Sequence, residues 1–309
     1  MSTTTQKTLE GRPKLSVISF CLNSGKFLRE TIESVLNQTY KNYEFIIKDG
    51  GSTDETIEIL KYYPKIRWVS EKEVTDNPAH EALCQAFDMA KGEYVIYLAV
   101  SDGIADPNWF KRAVEILDSD PEVSWVWGVS QAKSESGHLR GIAWQDFFQN
   151  QPPQKMEWFP FWLATGYGHE TNACFRKCLI DKFFPKNNPN EPYRFFPTMG
   201  FNYNLNVMGY LPYFLPIIAS YGYIQKNNLS EKNSNLIDLV MKRYARDIKA
   251  YKKNLLFGKI IHCFRDGNSN VIHEVGKNEL WHYRKKILSY RLKAKVRREL
   301  QKLMDHIRY

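Results

Sequence analysis

No stretch of this chain approaches eighteen uninterrupted apolar residues, so no bilayer-spanning helix is expected. The first eleven residues are polar and lack the apolar centre of a signal peptide, so no secretory processing is expected. Cysteine is scarce and unpatterned. Cys21, Cys84, Cys174, Cys178 and Cys263 are odd in number, and the step from Cys174 to Cys178 suits neither a zinc knuckle nor a redox pair. A disulfide framework is excluded on that count, and reduced, mostly buried thiols of a cytosolic protein are expected. Internal repeats and low-complexity tracts are missing too, which excludes solenoids and arrays.

What remains is a long globular chain rich in aromatic residues. Its 309 residues suffice for one large domain, or a domain with an appendage, and for a substantial core. Aromatic residues make up 14% of it, unlike a disordered sequence. The net charge of +9 is unevenly placed. Residues 277–309 carry eleven Lys and Arg against three acids, a local balance of +8 that leaves the rest nearly neutral. A nucleic-acid reader built around the main fold is therefore not expected.

Residues 15–20 form an apolar run ending in a loop with Asn23 and Gly25, and 27–37 follow a helical pattern. A second apolar run over 43–47 empties into Asp49-Gly50-Gly51-Ser52-Thr53-Asp54. Further helices are predicted over 56–63, 78–90 and from Pro107, in the first turn, to 117; further strands over 66–69, 94–99 and 123–127. This alternation predicts an α/β chain whose sheet is mostly parallel with helices on both faces. Ligands of such sheets sit outside the carboxyl ends of the strands. Gly50 and Gly51 let a base or ribose approach the backbone, and Asp49 can accept hydrogen bonds from either. As a strand-tip acid, Asp49 is expected to contribute little to packing.

Residues 151–223 turn to Pro, Gly and aromatic side chains, as in Trp158-Phe159-Pro160-Phe161-Trp162. Such rings either stack on sugars or fill a core beneath long loops. From Asn235 the pattern is helical, with Leu236, Val240, Tyr244, Ile248, Tyr251 and Leu255 on one face. The last helix repeats the spacing with Leu288, Leu292, Val296, Leu300, Leu303 and Ile307, a stripe that either packs onto the body or a second subunit or meets an anionic membrane surface or acidic partner. Lys and Arg crowd its remaining surface.

The ordered string from Val17 to Asn23, then Ser34-Val35-Leu36-Asn37-Gln38-Thr39-Tyr40, then Asp49 to Asp54, resembles the opening of family-2 glycosyltransferases with the GT-A fold. The resemblance extends over roughly two hundred residues. It implies a GT-A domain over 13–230, divided into a donor-binding half (13–130) and an acceptor half (131–230). A flexible leader (1–12) precedes it, and a basic helical extension (231–309) follows. Carried over by position, Asp49 and Gly50 hold the nucleotide of a nucleoside-diphosphate sugar and Asn23 lines the same pocket, while Gln38-Thr39-Tyr40 ends the first helix. Ser70-Glu71 and Asp76 resemble a segment whose acid sits beside the base; Asp76 is the better match.

The strand over 94–99 delivers Ser101-Asp102-Gly103 to the sheet edge, where the resembled family places an acid pair that meets metal and diphosphate. Here the pair is reduced. Asp102 becomes the metal-facing acid, for Mn2+ or Mg2+, and Ser101 a ribose or water contact. Such an ion offsets charge on the departing diphosphate. An Asp-Gly turn without metal is the plainer alternative for Asp102. Gly168-His169-Glu170-Thr171 ahead of Ala173-Cys174-Phe175-Arg176 resembles the family's acceptor-side strand. His169 then contacts diphosphate or acceptor, and Glu170 serves as the base that attack by a hydroxyl requires. Asn202-Tyr203-Asn204-Leu205 stands where many relatives carry acids, and amides cannot act as bases.

The resemblance implies a metal-assisted, inverting glycosyltransferase acting on a glycan, polysaccharide or lipid-linked acceptor, in bacterial-type polysaccharide biosynthesis. It would be cytoplasmic, peripheral on the inner face of a membrane through the basic helix at an anionic surface, and without nucleic-acid partners; homo-oligomer formation stays open. Two rivals remain. A non-catalytic nucleotide-sugar or partner-binding descendant is motivated by Asn202 and Asn204. A nucleotidyltransferase would open with a Gly-rich, Lys/Arg-bearing loop, and Asn23-Ser24-Gly25-Lys26 is too thin for one.

Overall fold

The computed structural model describes residues 11–75, 77–142, 151–167, 172–185, 193, 196–224 and 234–307, with backbone only at 142, 234, 297, 298 and 300–307. Strands β1 (Leu15–Cys21), β2 (Tyr43–Asp49), β3 (Arg67–Ser70) and β4 (Tyr94–Tyr97) lie side by side in the order β3-β2-β1-β4, all parallel. The sheet continues through β8 (Cys174–Arg176), β6 (Val123–Ser134), β9 (Leu211–Ile224) and β5 (Asp102–Ile104), with β7 (Leu139–Ile142) beside β6. β6 and β9 point the same way as the first four strands, whereas β5, β7 and β8 oppose them. The fold is α/β with a mostly parallel sheet.

Strand alternation divides the core into two layers. Val17, Phe45, Ile47, Ile96 and Val126 face α1 (Gly25–Leu36), α2 (Thr56–Tyr62) and α4 (Trp109–Ser119). Ile18, Ile46, Val95, Trp125 and Trp127 face the other way, onto α3 (Pro78–Met89), α5 (Trp158–Thr165), α6 (Lys177–Phe183), α7 (Pro197–Val207) and α8 (Ser234–Leu256). α9 (Lys277–Ile307) joins this second layer through Tyr283 and Ile287. Between α8 and α9, β10 (Cys263–Arg265) and β11 (Val271–Glu274) form a small antiparallel ribbon.

Several expectations change. Pro107 lies ahead of α4, whose N-cap is Asn108. Its carbonyl instead accepts from Thr39 N at 2.9 Å, and buried Gln38 bridges Asp106 O and Phe110 N. The structural role read for Gln38 and Thr39 thus takes a specific form: they tie the end of α1 to the start of α4. Trp158, Phe159 and Trp162 are buried in the core and offer no sugar platform. Val240, Tyr244, Ile248 and Leu255 of α8 bury the expected stripe, but in the same cluster as α5 and α7, so residues after 230 share a core with those before.

Of the readings open for the apolar stripe of α9, packing onto the body fails for its described part. Leu288, Leu292 and Val296 are exposed, because Tyr283 and Ile287 on the opposite side do the docking. Among the described residues no helix is long and apolar enough to cross a membrane.

Candidate functional site

The site is built from strand ends. β2, β1 and β4 are neighbours, and Cys21 pairs with Asp49 at the last register position of β1 and β2. The loops leaving their carboxyl ends carry Asn23, Asp49-Gly50 and Ser101-Asp102, so the fold brings these predicted residues to one edge of the sheet.

Asp49 is fully buried and acts as the knot of the β2 loop. One carboxylate oxygen accepts from Gly51 N and Ser52 N, both at 3.0 Å, and from Ser70 Oγ at 2.6 Å. The other accepts from Ser52 Oγ and, at 3.5 Å, from Cys21 Sγ. Burial alone would raise the pKa of this carboxyl, but the bonds from Ser52 and Ser70 outweigh it and the net direction is down. Burial and the adjacent Asp49 push the Cys21 thiol up. The expectation that Asp49 contributes little to packing is therefore corrected. A carboxylate offers about four lone-pair sites, so a base N–H reaching it would have to exchange with a rotatable hydroxyl, Ser70 or Ser52.

The rest of the motif ties neighbouring loops together. Asn23 adopts a left-handed backbone, φ 50°. Its backbone N–H donates to Ser52 Oγ, and its side-chain oxygen accepts from Thr53 N at 2.9 Å. Asp54 accepts from Gly25 N at the start of α1 and from Thr56 N at the start of α2, serving both helix ends. Gly51, φ 82°, also lies where an added Cβ would come within 3.3 Å of Lys72 Cβ. At Gly50 the added atom would lie 3.2 Å from Glu73 Oε2. The glycine pair thus lets segment 71–73 close over the β2 tip, a second reason for glycine beyond ligand approach.

Two residues that sequence reasoning missed lie beneath this loop. Lys48, 1% exposed, forms an ion pair with Glu73, 3% exposed, at 2.7 Å, and donates to Glu71 O at 2.8 Å. The signal was available: a lone lysine at the end of an apolar strand needs a buried partner. Glu71 itself is exposed and joins the site through its backbone N–H, which donates to Asp49 O.

Asp102 opens β5 and is half-buried. Its carbonyl accepts from Thr31 Oγ1 at 2.7 Å, fixing it to α1. A Cβ on the facing Gly222 would sit 2.9 Å from Asp102 Oδ1, so glycine there keeps room for the carboxylate. Ser101 contributes its carbonyl to Tyr223 N. Among the described residues no three His, Cys, Asp or Glu side chains gather as a metal cluster. One carboxylate at a strand edge still fits a hard cation whose shell is completed by phosphate oxygens. Asp76, His169 and Glu170 lie outside the described residues.

The stretch compared with an acidic motif is core. Asn202 is buried, accepts from Tyr244 OH, and Tyr244 OH in turn accepts from Trp162 Nε1 at 3.0 Å. Asn206 bonds back to Asn202 O and accepts from Trp158 Nε1 at 2.7 Å. Such a chain needs a side chain in the interior without charge. Arg176 is also structural: its guanidinium donates to Leu117 O, Asp120 O and Val123 O at the end of α4.

Comparison with known proteins bears on the family and the fold. The model of the family described as Glycosyl transferase family 2 matches residues 16–184. A PGL/p-HBAD biosynthesis glycosyltransferase of Mycobacterium bovis is 27% identical over 119 residues, covering 38% of this chain and 46% of that protein. The putative glycosyltransferase EpsE of Bacillus subtilis is 34% identical over 113 residues, covering 34% and 39%. The chain thus spans less than half the length of these curated relatives. Among solved structures, S. aureus TarS 1-349 in complex with UDP-GlcNAc aligns with a TM-score of 0.58 at 18% identity, covering 91% of this chain and 73% of that one. Mannosyltransferase PcManGT from Pyrobaculum calidifontis in complex with GDP-Man and Mn2+ aligns at 0.54 and 18%, covering 77% and 65%. At such identity these two likenesses establish the fold.

Proposed function

The chain belongs to the glycosyl transferase family 2 enzymes, and from that premise we propose that it moves a sugar from a nucleoside-diphosphate donor to a hydroxyl acceptor, with inversion. The observation that carries this reading is the convergence of the Asn23, Asp49-Gly50 and Ser101-Asp102 loops at the carboxyl ends of three adjacent parallel strands.

In this reading Asn23, Asp49 and Gly50 line the nucleoside pocket, Asp76 sits beside the base, and Ser101 meets the ribose or a water. Asp49 takes a base N–H by giving up a serine hydroxyl, which can rotate to another acceptor. Asp102 would hold Mn2+ or Mg2+ together with diphosphate oxygens, and such an ion supplies neutralisation of the leaving group's charge. Glu170 takes the acceptor's proton while the acceptor oxygen bonds to the anomeric carbon and the bond to diphosphate breaks. His169 steadies diphosphate or acceptor. The acceptor would be a glycan or a lipid-linked sugar in surface polysaccharide assembly, met at the inner face of a membrane; the basic balance of residues 277–309 supports that position.

The second reading is a GT-A-like protein that binds a nucleotide sugar without turnover. It is favoured by the amides at 202 and 204. Buried Asn202, engaged with Tyr244, weakens that argument because its position serves packing. Incubation with UDP- and GDP-sugars and Mn2+ separates the readings. Release of nucleoside diphosphate supports an enzyme, and saturable binding with no release supports the binder.

A further inference from the structure

Helix α9 carries two apolar stripes on opposite sides. At 3.6 residues per turn, Leu280, Tyr283, Ile287 and Tyr290 share one side. Tyr283 and Ile287 are each 5% exposed, and Tyr290 meets Phe161 edge-on at 5.4 Å. These contacts, with the Lys286–Glu157 ion pair, dock the helix on α5. Trp281, Leu288, Leu292 and Val296 occupy the other side, and they are 53%, 61%, 56% and 57% exposed. Single exposed apolar side chains are ordinary on a folded surface; four in register along about four turns are a patch.

The charge around that patch is mostly of one sign, with exposed Glu299, just beyond Val296 on the same face, as the exception. Lys285 lies over the Trp281 ring at 3.6 Å, and Arg284, Arg291, Lys293 and Lys295 are exposed beside or behind the stripe. Over residues 277–296 the sole acid is Glu279, and its carboxylate is engaged with His273 at 2.9 Å and with Gly276 N. A symmetric pairing of two such faces would oppose like charges. An acidic, partly apolar surface matches both features.

We propose that the outer face of α9 seats the protein on a membrane bearing anionic lipid headgroups. Trp281, Leu288, Leu292 and Val296 enter the headgroup region, and the flanking Lys and Arg meet the anionic groups. The docked stripe holds the helix to the body meanwhile, so seating requires no unfolding. This surface deepens the membrane position proposed above and is independent of the donor site; its purpose, meeting a lipid-linked acceptor, rests on the transferase reading.

Co-sedimentation of the full chain with phosphatidylcholine vesicles, with and without phosphatidylglycerol, tests the proposal. The wild type is expected to bind the mixed vesicles in low salt and to be released by high salt. Leu288→Glu/Leu292→Glu/Val296→Glu is expected to lose at least about tenfold in partitioning, with unchanged melting and nucleoside-diphosphate binding, because those side chains are already in water. Arg291→Gln/Lys293→Gln/Lys295→Gln should weaken binding to the mixed vesicles alone. A wild type that ignores mixed vesicles in low salt overturns the proposal, as does equal binding to neutral vesicles. A concentration-dependent dimer that the triple glutamate variant abolishes, without vesicle binding, assigns the face to a second copy instead. Loss of nucleotide binding with vesicle binding intact counts against the donor site and leaves this surface standing.

Discussion

Lys48 Nζ lies 2.7 Å from the Glu73 carboxylate, and both side chains are almost wholly withdrawn from water. The pair joins the tip of β2 to the segment that follows β3, the two walls between which the Asp49 loop is folded. Lys48 also donates to Glu71 O and, at 3.4 Å, to Asp49 O, so three backbone or side-chain positions depend on one ammonium group.

Removing one partner is expected to be costly. Lys48→Met leaves Glu73 buried and uncompensated, and the expected loss is about 3–5 kcal/mol. The double variant Lys48→Met/Glu73→Leu removes both charges and should recover most of that stability. Its nucleoside-diphosphate affinity should still fall, because segment 71–73 is no longer fixed over Gly50. Urea unfolding and calorimetry measure the two effects separately. A double variant as unstable as the single one would show that the pair is not the reason.

Local and non-local features of the chain differ in how far the sequence reveals them. Alternating apolar strands and the Asp49–Asp54 string were legible because period and turn chemistry are local. The mostly parallel sheet agrees with the strand–helix alternation, whereas its strand order and the hold of Asp54 on the starts of α1 and α2 are seen only in the structure. What stayed hidden depends on non-local partners. Nothing near Lys48 in sequence announces Glu73, twenty-five residues on. Trp158 and Trp162 look like sugar platforms until Asn206 and Tyr244 are found at their indole N–H groups. On α9 both faces are apolar, so periodicity alone could not say which one docks.

Asp49→Asn tests the knot at the β2 tip. The amide can still accept on one side, but its NH2 then faces Ser or backbone donors that it cannot serve. A loss of about 2 kcal/mol is expected at neutral pH. The depressed pKa fixes the direction with pH. This stability is present above the unfolded carboxyl's pKa and is lost as pH falls through the folded one. Wild type and variant should therefore converge in acid. Nucleoside-diphosphate binding should weaken as well; unaltered binding would place the donor pocket elsewhere.

Asp102→Asn addresses the metal. The variant keeps its backbone bond to Thr31 and its place against Gly222, so melting should change little. Turnover should be abolished, and any gain in nucleotide affinity with Mn2+ should vanish. Full wild-type activity in excess chelator would show a metal-independent enzyme.

His262 sets an acid limit on stability. It is buried, stacks on Phe159 at 3.6 Å between ring centres, and hydrogen-bonds through Nδ1 with Tyr251 OH at 2.9 Å. Burial, then the charge of Arg265, lowers its pKa to about 3. The unfolded chain takes up a proton near pH 6.5 that the folded one refuses until about 3. Stability should therefore decline below about pH 6.5, by up to about 1.4 kcal/mol per pH unit from this group. His262→Phe should flatten that limb in urea titrations at successive pH values. An identical slope in the variant would assign acid sensitivity to other groups.

The base is the last question that mutation can decide. Glu170 is the candidate that the sequence offers; the 202–205 stretch stands where many relatives carry acids but holds amides. Buried Asn202 accepts a hydrogen bond from Tyr244 and accompanies Asn206, so a carboxylate there would lie among Trp162, Tyr244 and Trp158 with no cation beside it in that chain. Asn202→Asp should therefore destabilise the fold and raise no rate, because burial would favour the neutral acid over the base. Glu170→Gln keeps volume and removes basicity. The chemical step should slow by roughly two to four orders of magnitude with donor affinity retained. Single-turnover kinetics at saturating donor isolate that step from binding. Wild-type rates in Glu170→Gln would move the base to another residue, and a gain in Asn202→Asp would move it to α7.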